Sequence, residues 1–136
     1  MRCVCGRTTA TCCVPPPSAR PRWMRCMTTE PGQVYLVDLG LAAKMRPMVV
    51  VSRKDENAPR ALAVCAPMTT ASRGSRYEIS VGRPAFLREP SYVNLQGLQA
   101  IQHHELNRMI GRLADKEMQE VRRGLEWVFG LAGAKA

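Results

Sequence analysis

The stretch PGQVYLVDLGLAAKMRPMVVVS, residues 31–52, decides the fold. Its first half, Gln33 to Leu39, alternates apolar and mixed side chains, which is typical of a half-buried strand. Its second half, Met48 to Ser52, is a β-branched apolar run of the kind found in fully buried strands. The short segment Gly40 to Met45 between them predicts two strands joined by a loop.

More strands are expected downstream, separated by polar or proline-containing loops. The same patterns predict strands at 61–66, 77–81 and 91–95, with 99–101 as a continuation of the last. After these strands the spacing of the apolar residues changes. The new spacing predicts a short helix at 102–108, an extended link at 110–113 and a longer helix at 115–129. That longer helix has Asp115 as its N-cap or as a first-turn acid, Gly130 as its stop and one apolar stripe, formed by Met118, Val121, Leu125 and Val128.

Short strands followed by one amphipathic helix predict a mainly β fold, a small antiparallel β-barrel with a C-terminal α-helix. The 136 residues are enough for one domain, which we expect at 31–131, with a flexible tail at 132–136. No apolar run approaches the roughly 20 residues needed to cross a bilayer, so no membrane partner is expected.

Residues 1–30 differ from the rest of the chain. They contain three consecutive prolines and five cysteines without apolar periodicity, which predicts a disordered tail. A start codon assigned too early would explain this segment, with Met24 or Met27 as the alternative start. The cysteine spacing is not that of a zinc site. The sixth cysteine, Cys65, is predicted to be a buried, inert thiol, which favours a reducing cytoplasm.

Charge in the body of the chain is moderately positive. Five of the 20 basic residues and none of the 11 acidic ones lie in residues 1–27, so the remainder carries 15 basic and 11 acidic side chains, a net +4. Such an excess suits a polyanion such as nucleic acid. It is also common in domains that bind no nucleic acid, so charge alone does not decide the function.

Four motifs are informative because of their order and spacing along the chain. They are PGQVYLVDLG at 31–40, RPMVVVS at 46–52, APMTT at 66–70 and GRLADKEMQEV at 111–121. Together, residues 31–131 resemble the MazF/PemK family of toxin endoribonucleases. The resemblance implies an SH3-like barrel, a homodimer and metal-independent cleavage of single-stranded RNA, including mRNA, to a 2′,3′-cyclic phosphate and a 5′-OH. It also implies a small acidic antitoxin as partner, and no cofactor.

The resemblance places the family's catalytic Arg at Arg46 and its catalytic Thr at Thr69. RNA cleavage by its own 2′-OH requires deprotonation of that hydroxyl, stabilisation of charge on the phosphorus centre and protonation of the leaving 5′-oxygen. A guanidinium matches phosphate oxygens, and a hydroxyl can donate to one. Because Arg stays protonated, it is a poor base, and the base is left open. A surface Arg before a strand proline and a turn-capping Thr are the structural alternatives.

Candidate RNA contacts surround this pair. The loop after Thr69 offers hydroxyls and cations within seven residues, and a solvated loop is the alternative. The predicted RNA-binding residues are Lys44, Thr70, Ser72, Arg73, Arg76 and Gln96, with Tyr77 and Tyr92 as candidates for base stacking. His103 and His104 are expected to lie outside the site.

Two features depart from the family pattern. The loop at 40–45 is short, and Gln96-Gly97 stands where many relatives have Asp-Gln. A catalytically weak or inactive member that binds nucleic acid or protein is therefore the first alternative. A gyrase poison of the same barrel fold is the second. That activity relies on a Trp-Gly-Ile C-terminus, whereas this chain continues past Trp127 to a small-residue tail.

Overall fold

The computed structural model describes residues 28–40 and 45–131. The described elements are β1 (Gln33–Val37), β2 (Arg46–Val50), β3 (Leu62–Thr69), β4 (Glu78–Ser80), β5 (Tyr92–Asn94), β6 (Gln99–Gln102), β7 (Leu106–Arg112) and α1 (Asp115–Val128). The predicted mainly antiparallel β fold with a C-terminal helix is thereby confirmed. The expectations for residues 1–27, Lys44 and residues 132–136 lie outside the described part of the chain.

The strands form one antiparallel sheet in the order β4-β5-β3-β2-β1-β7, and β6 also pairs with β3. One half of β3 bonds to β6, from Leu62 to Cys65, and its end bonds to β5 at Met68 and Thr69. Because β3 changes partners along its length, the sheet curls on itself. Within residues 28–40 and 45–131, no ladder joins β4 to β7, so the barrel-like sheet stays open.

The third strand is longer than the pattern predicts. The predicted end at Ala66 is wrong, because β3 continues through Pro67 to Thr69. Proline is tolerated in strands where its missing N–H interrupts no ladder. Around Pro67 the outer edge of β3 passes from β6 to β5, so that edge has a gap in its pairing there. Thr69 therefore belongs to the strand end rather than to the loop.

The predicted helix at 102–108 is also wrong. Only His103–Glu105 forms a 3₁₀ turn, and β7 begins at Leu106 and runs through the predicted link. Pairing with β1 decides this conformation, and the register shifts at two places along that ladder. Such irregularities break the two-residue alternation, which removes the strand signal from the sequence. Likewise, 99–101 is a strand of its own, separated from β5 by the 3₁₀ turn Leu95–Gly97.

Buried apolar side chains cover both faces of the central strands. The helix-side core contains Val34, Val49, Ala66, Met68, Val93, Leu95, Met118 and Val121, among others. The opposite cluster contains Val37, Met48, Val50, Ala63, Cys65, Ile101 and Leu106. Because β2 contributes to both, its three apolar residues 48–50 are all fully buried, as the β-branched run predicts. Burial raises the pKa of the Cys65 thiol to about 11, so this free cysteine is unreactive at neutral pH.

The C-terminal helix packs through the predicted stripe. Met118 and Val121 are buried, and Leu125 and Val128 pack at the edge of the helix-side core. Gly124 allows close approach, because a Cβ there would lie 2.5 Å from Leu95 Cδ1. The Glu117 carboxylate accepts from the Ala114 N–H at 2.9 Å at the first turn. The helix ends at Val128, and Gly130, with a φ of 61°, takes the left-handed conformation just after its C-cap, Phe129.

Residues 28–30, which precede the predicted domain start, already contact the sheet. Glu30 accepts from Lys54 Nζ and from Arg112 Nη1, each at 3.1 Å. These two partners, Lys54 first, lower the pKa of the Glu30 carboxyl. Thr29 is buried. In the part of the chain that is described, no helix is long and apolar enough to cross a membrane.

Candidate active site

Arg46 and Thr69 stand at the same end of two neighbouring strands. Arg46 is the first residue of β2, and Thr69 is the last residue of β3. The β2–β3 ladder pairs Met48 with Pro67 and Val49 with Ala66. Continued by two residues, this register sets Arg46 across from Thr69, and directly opposed residues have Cβ atoms about 4.5–5.5 Å apart. The antiparallel pairing thus brings together two residues that are 23 positions apart in the sequence.

These two residues line one surface cavity of about 400 Å³. Its other lining residues are Pro47, Met68, Thr70, Leu87, Arg88, Glu89 and Ser91. The cavity therefore combines two guanidinium groups with one carboxylate and several hydroxyls. A net positive hollow of this kind suits an anionic group such as a phosphate.

The Thr69 hydroxyl has a local role in the backbone. It accepts from the Ala71 N–H at 3.2 Å and lies 3.5 Å from the Ala71 carbonyl. This is the turn-capping arrangement, and it points the strand end into the following loop. The bond to the carbonyl is long, so the hydroxyl proton can turn to a ligand while the N–H bond holds the oxygen in place.

The loop that follows is held by Glu78 at the start of β4. The Glu78 carboxylate accepts from the Arg73 N–H at 2.8 Å and from the Ser72 hydroxyl at 3.1 Å. The backbone bond from Arg73 is the main cause of the lowered pKa of this carboxyl. Of the predicted RNA contacts in this loop, only Thr70 lines the cavity, and Ser72 serves the loop itself.

Arg76 lies against the C-terminal helix instead of the cavity. Its guanidinium carbon is 4.3 Å from the centre of the Trp127 ring, which is the geometry of a cation–π contact. The Tyr77 ring meets the same indole edge-on, with centroids 5.0 Å apart. Gln96 sits exposed on the 3₁₀ turn after β5 and is likewise not among the lining residues.

Arg88 and Glu89 are the lining residues that the sequence pattern missed. Their loop is anchored on both sides: Phe86 and Leu87 pack on the helix-side core, and buried Ser91 bonds through its N–H to the Gly82 carbonyl at 2.8 Å. The Ser91 hydroxyl also donates to the Glu89 carbonyl at 3.1 Å. In the sequence, Arg88 and Glu89 stand out only as adjacent opposite charges between Leu87 and Pro90. That pattern does not reveal which way the loop folds.

His103 lies apart from this site, as expected. It lines a different cavity, together with Thr29, Ser52 and Arg53, and burial lowers its pKa. Within residues 28–40 and 45–131, no three His, Cys, Asp or Glu side chains cluster as metal ligands do.

Comparison with known proteins identifies the fold and the family pattern. A family model described as PemK-like, MazF-like toxin of type II toxin-antitoxin system matches residues 30–129. An endoribonuclease from Mycobacterial species, solved in complex with its cognate antitoxin, is 27% identical, with a TM-score of 0.67 over 76% of this chain and 96% of its own. No curated protein sequence matches.

Two further solved structures are similar. The Mycobacterium tuberculosis toxin MazF-mt6 is 27% identical, with a TM-score of 0.63 over 73% of this chain and 97% of its own. The MazE-MazF structure from Deinococcus radiodurans is 19% identical, with a TM-score of 0.62 over 78% of this chain and 100% of its own. At that identity, the Deinococcus likeness shows the fold alone.

Proposed function

The chain belongs to the PemK-like, MazF-like toxin family of type II toxin-antitoxin systems, and on that premise we propose that it is an endoribonuclease that cleaves single-stranded RNA. The observation that carries the proposal is the shared cavity of Arg46 and Thr69. Both residue types suit a phosphate undergoing displacement, and the strand register holds them at one end of the sheet. The similar Mycobacterial structures are themselves endoribonucleases or toxins by description.

In the proposed reaction, the RNA 2′-oxygen attacks the neighbouring phosphorus and the bond to the 5′-oxygen breaks. The products are a 2′,3′-cyclic phosphate and a 5′-OH. Arg46 binds the non-bridging oxygens, where negative charge grows, and Thr69 donates its hydroxyl to one of them. The leaving 5′-oxygen takes a proton from water, and Arg46 stays protonated throughout.

Incubation with a long single-stranded RNA tests the proposal. The expected result is a set of discrete fragments with 2′,3′-cyclic phosphate ends, identified by mass spectrometry. Intact RNA at a large molar excess of protein would contradict it and favour a binding protein. Cleaved DNA in reactions that also contain gyrase, with RNA left intact, would instead favour a gyrase poison.

The proposed partners are mRNA, a small acidic antitoxin and a second copy of the chain, all in the cytoplasm. Two observations favour the homodimer. Met45 and Met109 are 45% and 46% exposed, which is high for apolar side chains, and the second edge of β7 bonds to no strand within the described residues. Light scattering should give twice the 15.1 kDa chain mass. A monomer at micromolar concentration would contradict the dimer.

A further inference from the structure

The proposed reaction needs a group that removes the proton from the 2′-OH. Neither Arg46 nor Arg88 can serve, because guanidinium groups stay protonated in proteins. The neutral hydroxyls of Thr69, Thr70 and Ser91 are far too weakly basic to take a proton at neutral pH. Among the residues that line the cavity, Glu89 alone carries a carboxylate, a side chain that commonly serves as a general base.

The surroundings of Glu89 leave its carboxylate available. The residue is exposed, and within the described part of the chain no Lys, Arg or His forms an ion pair with it. Its backbone is nevertheless fixed, because buried Ser91 donates its hydroxyl to the Glu89 carbonyl at 3.1 Å. This combination contrasts with Glu78, whose carboxylate is committed to the loop at Ser72 and Arg73.

We propose that Glu89 is the general base of the RNA cleavage reaction. The inference rests on the proposed function and completes its proton balance. The Glu89 carboxylate takes the proton from the 2′-OH, the 2′-oxygen forms its bond to phosphorus, and the bond from phosphorus to the 5′-oxygen breaks. The leaving oxygen gains a proton from water, and Glu89 later returns its own to solvent.

The charged neighbours of Glu89 in the cavity are Arg46 and Arg88. These two cations attract the RNA phosphate to the place where the carboxylate lies. A carboxylate in a phosphate site weakens ligand binding by charge repulsion, and proton transfer is a role for Glu89 that phosphate binding does not supply.

Glu89→Gln tests this role, because it keeps the size of the side chain and removes its basicity. General bases contribute roughly a hundred- to ten-thousandfold in rate, so we expect single-turnover cleavage to fall by at least a hundredfold. RNA binding should be unchanged or tighter, because a negative charge is lost. The wild-type cleavage rate should fall at low pH as a carboxylate base becomes protonated, which is the acid limb of the pH profile. The residual activity of Glu89→Gln should lack this limb.

Glu126→Gln is the matched control, because Glu126 is an exposed acid on α1 outside the cavity. It should cleave like the wild type, and both variants should keep the wild-type melting temperature. Wild-type rates in Glu89→Gln, or a slow Glu89→Gln that keeps the acid limb, would overturn the role of Glu89 and leave the ribonuclease intact. A wild-type chain that leaves RNA uncut would overturn both.

Discussion

Arg46→Ala should lower the single-turnover rate of RNA cleavage by about a hundred- to a thousandfold, the usual loss when one preorganised electrostatic contact to a transition state is removed. Arg46 is exposed and makes no ion pair within the described residues, so its guanidinium is free to bind phosphate oxygens. For the same reason the fold should tolerate the change, with a free energy of unfolding within about 0.5 kcal/mol of the wild type. The measurement is quenched cleavage with the protein in excess over RNA.

The control for Arg46→Ala is Arg122→Ala, which removes an equal charge from an exposed position on α1. It should keep nearly the full rate, which separates local stabilisation from net charge. The salt dependence of RNA binding gives a second readout, since loss of one phosphate contact lowers the logarithmic slope by about 0.7 for single strands. An Arg46→Ala protein that cuts within threefold of the wild-type rate would remove this residue from the reaction.

The elements that the sequence predicts well are those whose burial follows a regular period. The run at Met48–Val51 and the helical stripe that contains Met118 and Val121 correspond to β2 and α1, because each buries the residues its pattern marks. Arg46 and Thr69 line one cavity, and their catalytic roles stay a prediction. The motif resemblance placed them in one site, since a pairing register between β2 and β3 cannot be read from either strand alone.

The failures arise where tertiary contacts decide the conformation. The segment 102–108 has no strong period of its own, and β7 forms there because β1 offers an edge to pair with. Similarly, Arg88 and Glu89 reach the cavity because Phe86 and Ser91 anchor their loop. Such anchoring depends on distant residues, so the local sequence does not reveal which way the loop folds. Ser72 and Arg76 were predicted from residue type, and the structure engages both in other contacts.

Gly111→Ala should destabilise the protein by about 1–3 kcal/mol, which is the typical cost of overpacking a core. In most strands, replacing glycine by alanine would stabilise the protein, because glycine has poor strand propensity. Here a Cβ on Gly111 would overlap the Cγ, Cδ1 and Cε1 atoms of Phe86. An aromatic ring packed on the core cannot fold aside as a flexible chain end can. For a domain of about 100 residues, the melting temperature should fall by roughly 4–8 °C for each kcal/mol.

Phe86→Leu provides the test of this cause, because it shortens the obstructing group. In a double-mutant cycle, Gly111→Ala should cost less in the Phe86→Leu background than in the wild type, with a coupling of at least about 0.5 kcal/mol. Additive effects, or a Gly111→Ala protein as stable as the wild type, would contradict the clash.

The Phe86 ring also precedes Arg88 by two residues, so displacing it shifts the loop that completes the cavity. Cleavage by the folded fraction of Gly111→Ala should therefore fall as well, and recover in part in the double variant.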